Sequence, residues 1–207
     1  MKAERVSIPC GDIELEAELH LPDSQQKFPA AVVCHPHPLY GGDMDNNVVV
    51  TVCEALVENS TAALRFNFRG VGMSGGTSGG GFKEQGDVKA VLDYLRSRQN
   101  IDSDRIGLVG YSFGGSVAFL VAREDTRIRK LALVSPAIDE SDWQDLSNYV
   151  GAKLVLVGDA DTVVSFARVK KYFTANQDFQ VITGADHFWW GYESELIQRI
   201  GKFFREP

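Results

Sequence analysis

This chain has too few cysteines to be built on disulfides. It holds three in 207 residues, and Cys10, Cys34 and Cys53 stand at no metal-ligand spacing. An odd, sparse set of thiols fits a reduced, cytoplasmic setting. Cys34 lies in an apolar run and reads as inert core. Positive charge is also short, with 21 Lys and Arg against 28 Asp and Glu, a formal net charge of -7. Nucleic acid and anionic membrane surfaces are therefore poor partners, because both need a basic face. No apolar run reaches the roughly 18 residues of a membrane span. The opening MKAERVSIPC has no apolar stretch of the kind a secretory signal needs, so none is expected. Repeats and dividing linkers are missing as well, and residues 1–207 read as one domain. The one low-complexity patch, Gly75 to Gly81, reads as a mobile loop.

What is present is a clear change of hydrophobic period. Ile13, Leu15, Ala17, Leu19 and Leu21 alternate with Glu14, Glu16, Glu18 and His20. Period two with one polar face predicts an antiparallel strand, paired with residues 4 to 8 through a turn at Cys10-Gly11-Asp12. Short, nearly continuous apolar runs follow at Ala30–Cys34, Ala63–Phe66, Ile106–Val109, Leu131–Val134, Leu154–Val157 and Gln180–Thr183. Such runs suit strands covered on both faces, as in a parallel sheet. Between them, Val88, Val91, Leu92 and Leu95 form a helical stripe. A last helix over Glu193 to Phe204 is expected to turn Leu196, Ile197, Ile200 and Phe203 inward. The valine-rich stretch Asn47–Leu56 favours strand by propensity, but its place between two strands argues for helix. The fold class expected is α/β: a mostly parallel twisted sheet of about eight strands, opened by an antiparallel hairpin, with helices on both faces.

The pattern G-x-S-x-G occurs three times, centred on Ser74, Ser78 and Ser112, in a chain with 20 glycines. Context separates them. A nucleophilic serine needs a sharp strand-to-helix turn that lifts its hydroxyl above the sheet. Ser112 follows the apolar run Ile106–Val109 and precedes a small-then-apolar helix. Ser74 and Ser78 lie in the glycine-rich patch with no helix directly after them.

A serine hydroxyl also needs a base, and the base needs an orienting acid. His187 is the only histidine after Ser112. On sheets with this turn the order along the chain is nucleophile, acid, base. The acid then belongs after the run Leu154–Val157. Asp161 is favoured there, with Asp159 and Asp186 as alternatives that turns commonly use for local hydrogen bonds. Two backbone N–H groups should hold the oxyanion. One is that of Phe113. The other comes from Cys34-His-Pro-His-Pro-Leu-Tyr40, where the prolines have no N–H. His37 is the first choice, with Leu39 and Tyr40 behind it. The spacing of His35 and His37 lacks the further ligands of a structural zinc site, so no metal is expected.

Taken in order, these blocks resemble the α/β-hydrolase superfamily over nearly the whole chain: the strand-end His35-Pro36, Phe66-Asn-Phe-Arg-Gly-Val-Gly-Met-Ser74, the turn at Ser112, Gly158-Asp-Ala-Asp161 and Asp186-His187. CHPHPLYGGDMDNNVV with RFNFRGVGMSGG is similar to small, lidless bacterial hydrolases near the dienelactone-hydrolase branch. That branch typically carries a cysteine nucleophile, and Ser112 departs from it. The resemblance implies a serine esterase acting on a small-molecule carboxylic ester through an acyl-enzyme, with no cofactor. Thioesterase or peptidase action on the same residues is the alternative. It also implies that Arg69 and Asp87 pair behind the site.

Only Pro136 to Ala152 separates the sixth and seventh strands, enough for one short helix around Trp143 and too little for a deep cap. Short acyl chains are therefore expected. Tyr40, Phe188, Trp189 and Trp190 are candidates for the pocket wall, though such aromatics are as often core. The rivals from other classes are a non-catalytic binding protein on the same fold and an NAD-linked oxidoreductase. The second rests on Gly70-Val-Gly-Met-Ser-Gly75, which matches G-x-G-x-x-G but lacks a helix opening at its glycines. Asp93, at the distance of the expected ribose-binding acid, falls inside a helix rather than at a strand end.

Overall fold

The computed structural model describes residues 2–23, 27–173 and 179–205. Eight strands form one sheet: β1 (Lys2–Cys10), β2 (Ile13–Leu21), β3 (Phe28–Cys34), β4 (Ala62–Phe66), β5 (Ile101–Tyr111), β6 (Ile128–Val134), β7 (Ala152–Gly158) and β8 (Phe179–Ile182). Their order is β1-β2-β4-β3-β5-β6-β7-β8. β1 pairs antiparallel with β2, and β2 antiparallel with β4. From β4 to β8 every neighbour is parallel. The hairpin closes at Gly11, whose φ of 63° only glycine adopts without strain. β1 is thus an outer edge, and it carries Lys2, Glu4, Arg5 and Pro9.

The apolar runs serve two cores at once, because successive side chains of a strand point to opposite faces. In β3, Ala30, Val32 and Cys34 enter one core, while Ala31 and Val33 enter the other. The first core is covered by α2 (Glu84–Ser97), α3 (Phe113–Ala122) and α4 (Glu140–Ser147), the second by α1 (Asn47–Glu58) and α6 (Glu193–Arg205). A one-turn helix, α5 (Phe166–Val169), precedes β8.

Residues 47–58 are helical despite their valines. Asn46 caps the helix by accepting from the Val48 N–H at 3.0 Å. Val48, Val49, Val52, Cys53 and Leu56 are then buried, and that packing outweighs strand propensity. In α6 the inward residues are Leu196, Ile200 and Phe204, one face at i, i+4, i+8, rather than Phe203. Phe204 lies over Gly107, where a Cβ would stand 2.5 Å from its ring. Ile197 and Phe203 are partly buried flanks. Among the described residues, no helix is long and apolar enough to cross a membrane.

Candidate active site

β5 ends at Tyr111 and α3 begins at Phe113, so Ser112 alone makes the turn, with φ 51° and ψ -118°. A non-glycine residue holds such a conformation only where its surroundings over-determine it. Here the Ser112 N–H donates to the Val134 carbonyl at 3.0 Å, and its own carbonyl accepts from Gly115 at 2.9 Å and Ala137 at 3.0 Å. The flanking glycines are needed for space. A Cβ on Gly110 would stand 2.3 Å from the Gly114 carbonyl oxygen, and one on Gly114 would stand 2.4 Å from that of Cys34.

The loops after β7 and β8 bring the other two side chains to this turn. His187 Nε2 lies 3.0 Å from Ser112 Oγ, and His187 Nδ1 lies 2.9 Å from Asp161 Oδ2. All three residues are buried. An ionised carboxylate only accepts, so Nδ1 carries the imidazole proton and Nε2 is left to accept from the serine hydroxyl. Asp161 Oδ1 accepts from the N–H groups of Val163 and Val164 at 2.9 and 2.7 Å. Burial pushes the Asp161 carboxyl upward, but hydrogen bonds from His187, the Val164 N–H and Ser135 prevail and hold it below the usual carboxylate range. The Tyr111 hydroxyl donates to the His187 carbonyl at 2.7 Å, and Asn47 Nδ2 donates to that of Phe188 at 3.0 Å. The alternative acids are occupied elsewhere. Asp159 accepts from the Gly184 N–H at 2.7 Å, and Asp186 from those of Phe188 and Trp189 at 2.9 and 3.1 Å.

In the loop after β3, a 3-10 turn over Pro38–Tyr40 uses two of the candidate donors. Leu39 N–H donates to His37 Nδ1 at 3.2 Å, and Tyr40 N–H to the His37 carbonyl at 3.0 Å. The N–H of His37 takes no part in that turn. Its ring lies 4.7 Å from the Phe113 ring, so the loop adjoins the start of α3, where the first N–H groups have no acceptor within the helix. His35 is engaged by backbone groups on both ring nitrogens. Its Nε2 accepts from the Phe68 N–H at 3.0 Å, and its Nδ1 donates to the Pro36 carbonyl at 2.7 Å. Burial pushes its titration down to about 4, against the upward pull of that carbonyl.

The aromatic candidates divide. Tyr40 is exposed beside His37, and Phe188 is 58% exposed, its ring edge-on to His187 at 5.9 Å. Trp190 is also exposed. Trp189 is not a pocket wall: it is fully buried in the second core, and its indole N–H donates to Ser135 Oγ at 3.1 Å. Its φ of 63° turns it inward between two outward neighbours. A cavity of about 270 Å³ lies beside the site, lined by Ala137, Ile138, Trp143, Val164 and Val169, with Glu140 and Arg168 at its rim.

The loop between β4 and α2 holds the other two serine motifs. Ser74 Oγ donates to the Asn67 carbonyl at 2.7 Å and accepts from the Glu16 N–H at 2.9 Å. Ser78 donates to Glu84, whose carboxylate also accepts from Gly79 and Gly81 at 2.8 Å each. The glycine-rich patch, expected to be mobile, is therefore hydrogen-bonded in place. Arg69 and Asp87 pair as expected, with Nη2 2.5 Å from Oδ1. No helix opens at Gly70–Gly75; α2 starts only at Glu84, and Asp93 lies within it. The dinucleotide-binding geometry is thus missing from this stretch. The sequence carries no signal for Ser135, which belongs to no motif, or for Tyr111, which fills a variable position of the motif at Gly110–Gly114.

Residues 11–197 match the family described as X-Pro dipeptidyl-peptidase (S15 family). An uncharacterised protein of Rickettsia prowazekii is 36% identical over 186 residues, spanning 84% of this chain and 78% of that one. Among solved structures, an alpha-beta serine hydrolase homologue from Coxiella burnetii superposes with a TM-score of 0.87 at 35% identity, covering 98% of this chain and 97% of that one. A serine hydrolase without lid from Xanthomonas campestris gives 0.82 at 28% identity, covering 99% and 94%.

Proposed function

The chain belongs to the X-Pro dipeptidyl-peptidase (S15) family and to the α/β serine hydrolases, and from that premise we propose that it cleaves small carboxylic esters, with Ser112 as nucleophile, His187 as base and Asp161 as orienting acid. One observation carries the reading: the unbroken chain from Ser112 Oγ through His187 to Asp161, at 3.0 and 2.9 Å, standing on a strained strand-to-helix turn.

In the reaction His187 Nε2 takes the Ser112 proton as Oγ attacks the ester carbonyl. The N–H groups of Phe113 and His37 receive the oxyanion, each contributing about 3–4 kcal/mol. His187 then protonates the leaving alcohol, and water attacks the acyl-enzyme through the same base. No metal or organic cofactor enters these steps. Short acyl groups fit the small neighbouring cavity and the single short helix α4 between β6 and β7. Tyr40 and Phe188 form the outer wall. The net charge of -7 favours a neutral substrate over nucleic acid or an anionic membrane.

The family match supports amide cleavage after proline as a second reading. A panel of p-nitrophenyl esters of increasing length, together with X-Pro p-nitroanilides, tests both. Hydrolysis that peaks on short esters is the expected result. Turnover of the anilides alone would overturn the ester reading, and peak rates on long-chain esters would overturn the size preference.

A further inference from the structure

The second oxyanion donor has a support that the mechanism above does not use. The N–H of His37 and the carbonyl of Pro36 belong to one peptide group. That group is planar and trans, so the two point in opposite directions. Whatever fixes the carbonyl therefore aims the N–H. His35 fixes it, because its Nδ1 donates to the Pro36 carbonyl at 2.7 Å. The imidazole is itself held. Its Nε2 accepts from the Phe68 N–H at 3.0 Å, so the neutral ring carries its proton on Nδ1.

Packing points the same way. His35 and Phe68 are both fully buried, with ring centroids 4.7 Å apart. The Phe68 ring also lies 5.8 Å from that of Phe113, the residue that supplies the first donor. Gly42 stands against the same Pro36 carbonyl, where a Cβ would collide with the oxygen. Pro36 and Pro38 restrict the backbone on either side, and His37 sits between them at φ -63° and ψ 123°. The Pro36–His37 peptide is thus confined by a hydrogen bond, by close packing and by its neighbours.

We propose that His35 is a positioning residue for the oxyanion hole, acting through the Pro36–His37 peptide: its Nδ1–H holds the Pro36 carbonyl so that the His37 N–H faces the carbonyl oxygen of the substrate. The assignment rests on the reading of the His37 N–H as the second oxyanion donor. Such donors work only when they are aimed before the charge forms. The bond from His35 also polarises the peptide, which makes its N–H a better donor. The effect belongs to the transition state, so it falls on kcat and spares KM.

The test measures kcat and KM on p-nitrophenyl acetate and on its thiono analogue, together with thermal unfolding. Sulfur is a weak acceptor, so the thiono ester draws little from the oxyanion hole. Two variants divide the roles of the imidazole. His35→Gln puts an amide oxygen near the place of Nε2, which keeps the Phe68 N–H paired and leaves the Pro36 carbonyl unbound. His35→Asn puts an amide nitrogen near the place of Nδ1, which keeps the Pro36 bond and leaves the Phe68 N–H unpaired. His35→Gln should lower kcat on the oxo ester about tenfold, with KM within about twofold and a smaller loss on the thiono ester. His35→Asn should melt lower than His35→Gln yet turn over faster. A merely structural role would rank activity with stability. His37→Pro removes the donor N–H and suits the φ of -63° already there. Its kcat should fall about 100-fold or more below that of His37→Ala, which loses the same ring and keeps the N–H. Wild-type kcat in His35→Gln, or equal losses on the two esters, would overturn the proposal. If His35→Asn does not fold, the ratio of the two esters in His35→Gln decides alone. If His37→Pro matches His37→Ala, the donor reading falls and the proposal with it. A loss in His37→Pro without one in His35→Gln removes the proposal and leaves the donor reading standing. Failure of wild type to turn over either ester would remove both.

Discussion

Two regions of this chain carry the same five-residue pattern and put it to opposite uses. At residues 110–114 the serine closes a strained turn, and its hydroxyl bonds to the His187 imidazole. At residues 72–80 the serines are spent on structure: Ser74 bonds to Asn67 and Glu16, and Ser78 to Glu84. The glycines differ too. Those around Ser112 lie against backbone, where a Cβ would have no room, whereas a Cβ on Gly75 would first meet the Ile13 side chain at 3.2 Å and one on Gly72 the Asn67 and Glu16 side chains at 2.4 and 2.5 Å. Reactivity therefore comes from what the surroundings leave free, and the pattern alone does not select it.

The contrast can be pressed at several points. Ser112→Ala should cut kcat by about 10,000-fold or more with the melting temperature unchanged, since the alanine keeps the Cβ and loses only the attacking atom. Ester turnover and thermal unfolding read the two effects separately. Gly114→Ala should cost about 3 kcal/mol of stability by forcing α3 away from the end of β3. Gly75→Ala should be milder, and urea melts compare them.

A pH experiment probes His35, which holds the Phe68 N–H just after β4. His35 titrates at about 4 when folded and at 6.5 when exposed, so the unfolded chain takes up the proton first as pH falls. Stability should therefore drop between those two values, by on the order of 3 kcal/mol in total, and level off below. In a His35→Gln variant the slope in urea-derived stability over this window should flatten. Ser74→Ala should cost about 1–2 kcal/mol of stability while kcat stays within twofold, the reverse of Ser112→Ala. Ser78→Ala should cost less than about 1 kcal/mol, since Glu84 keeps two backbone donors. A large loss of turnover in either serine variant would erase the distinction.

Much of this was legible because chain order and period are strong constraints. The buried strands announced themselves as apolar runs, and His187 was the only histidine available after Ser112. Asp161 stood out from Asp159 by its reach. The structure brings these three together. What the sequence hid is set by backbone angles and by contacts between distant segments. Phe188, Trp189 and Trp190 look alike on paper, yet one positive φ sends the middle ring into the core. Ser135 is a lone serine before a proline, and only its distance to an indole far along the chain gives it meaning. Glu84 and Glu16 likewise show as ordinary acids, although they tie down the glycine-rich loop.

The outermost strand has a practical side. An open sheet offers its border to any stray segment that can lie alongside, and a nine-residue border is long enough to seed stacking into fibrils. In β1 the charges of Lys2, Glu4 and Arg5 and the missing N–H of Pro9 make that docking costly. The border thus guards itself: concentrated stocks of this protein should resist strand-to-strand stacking along that side.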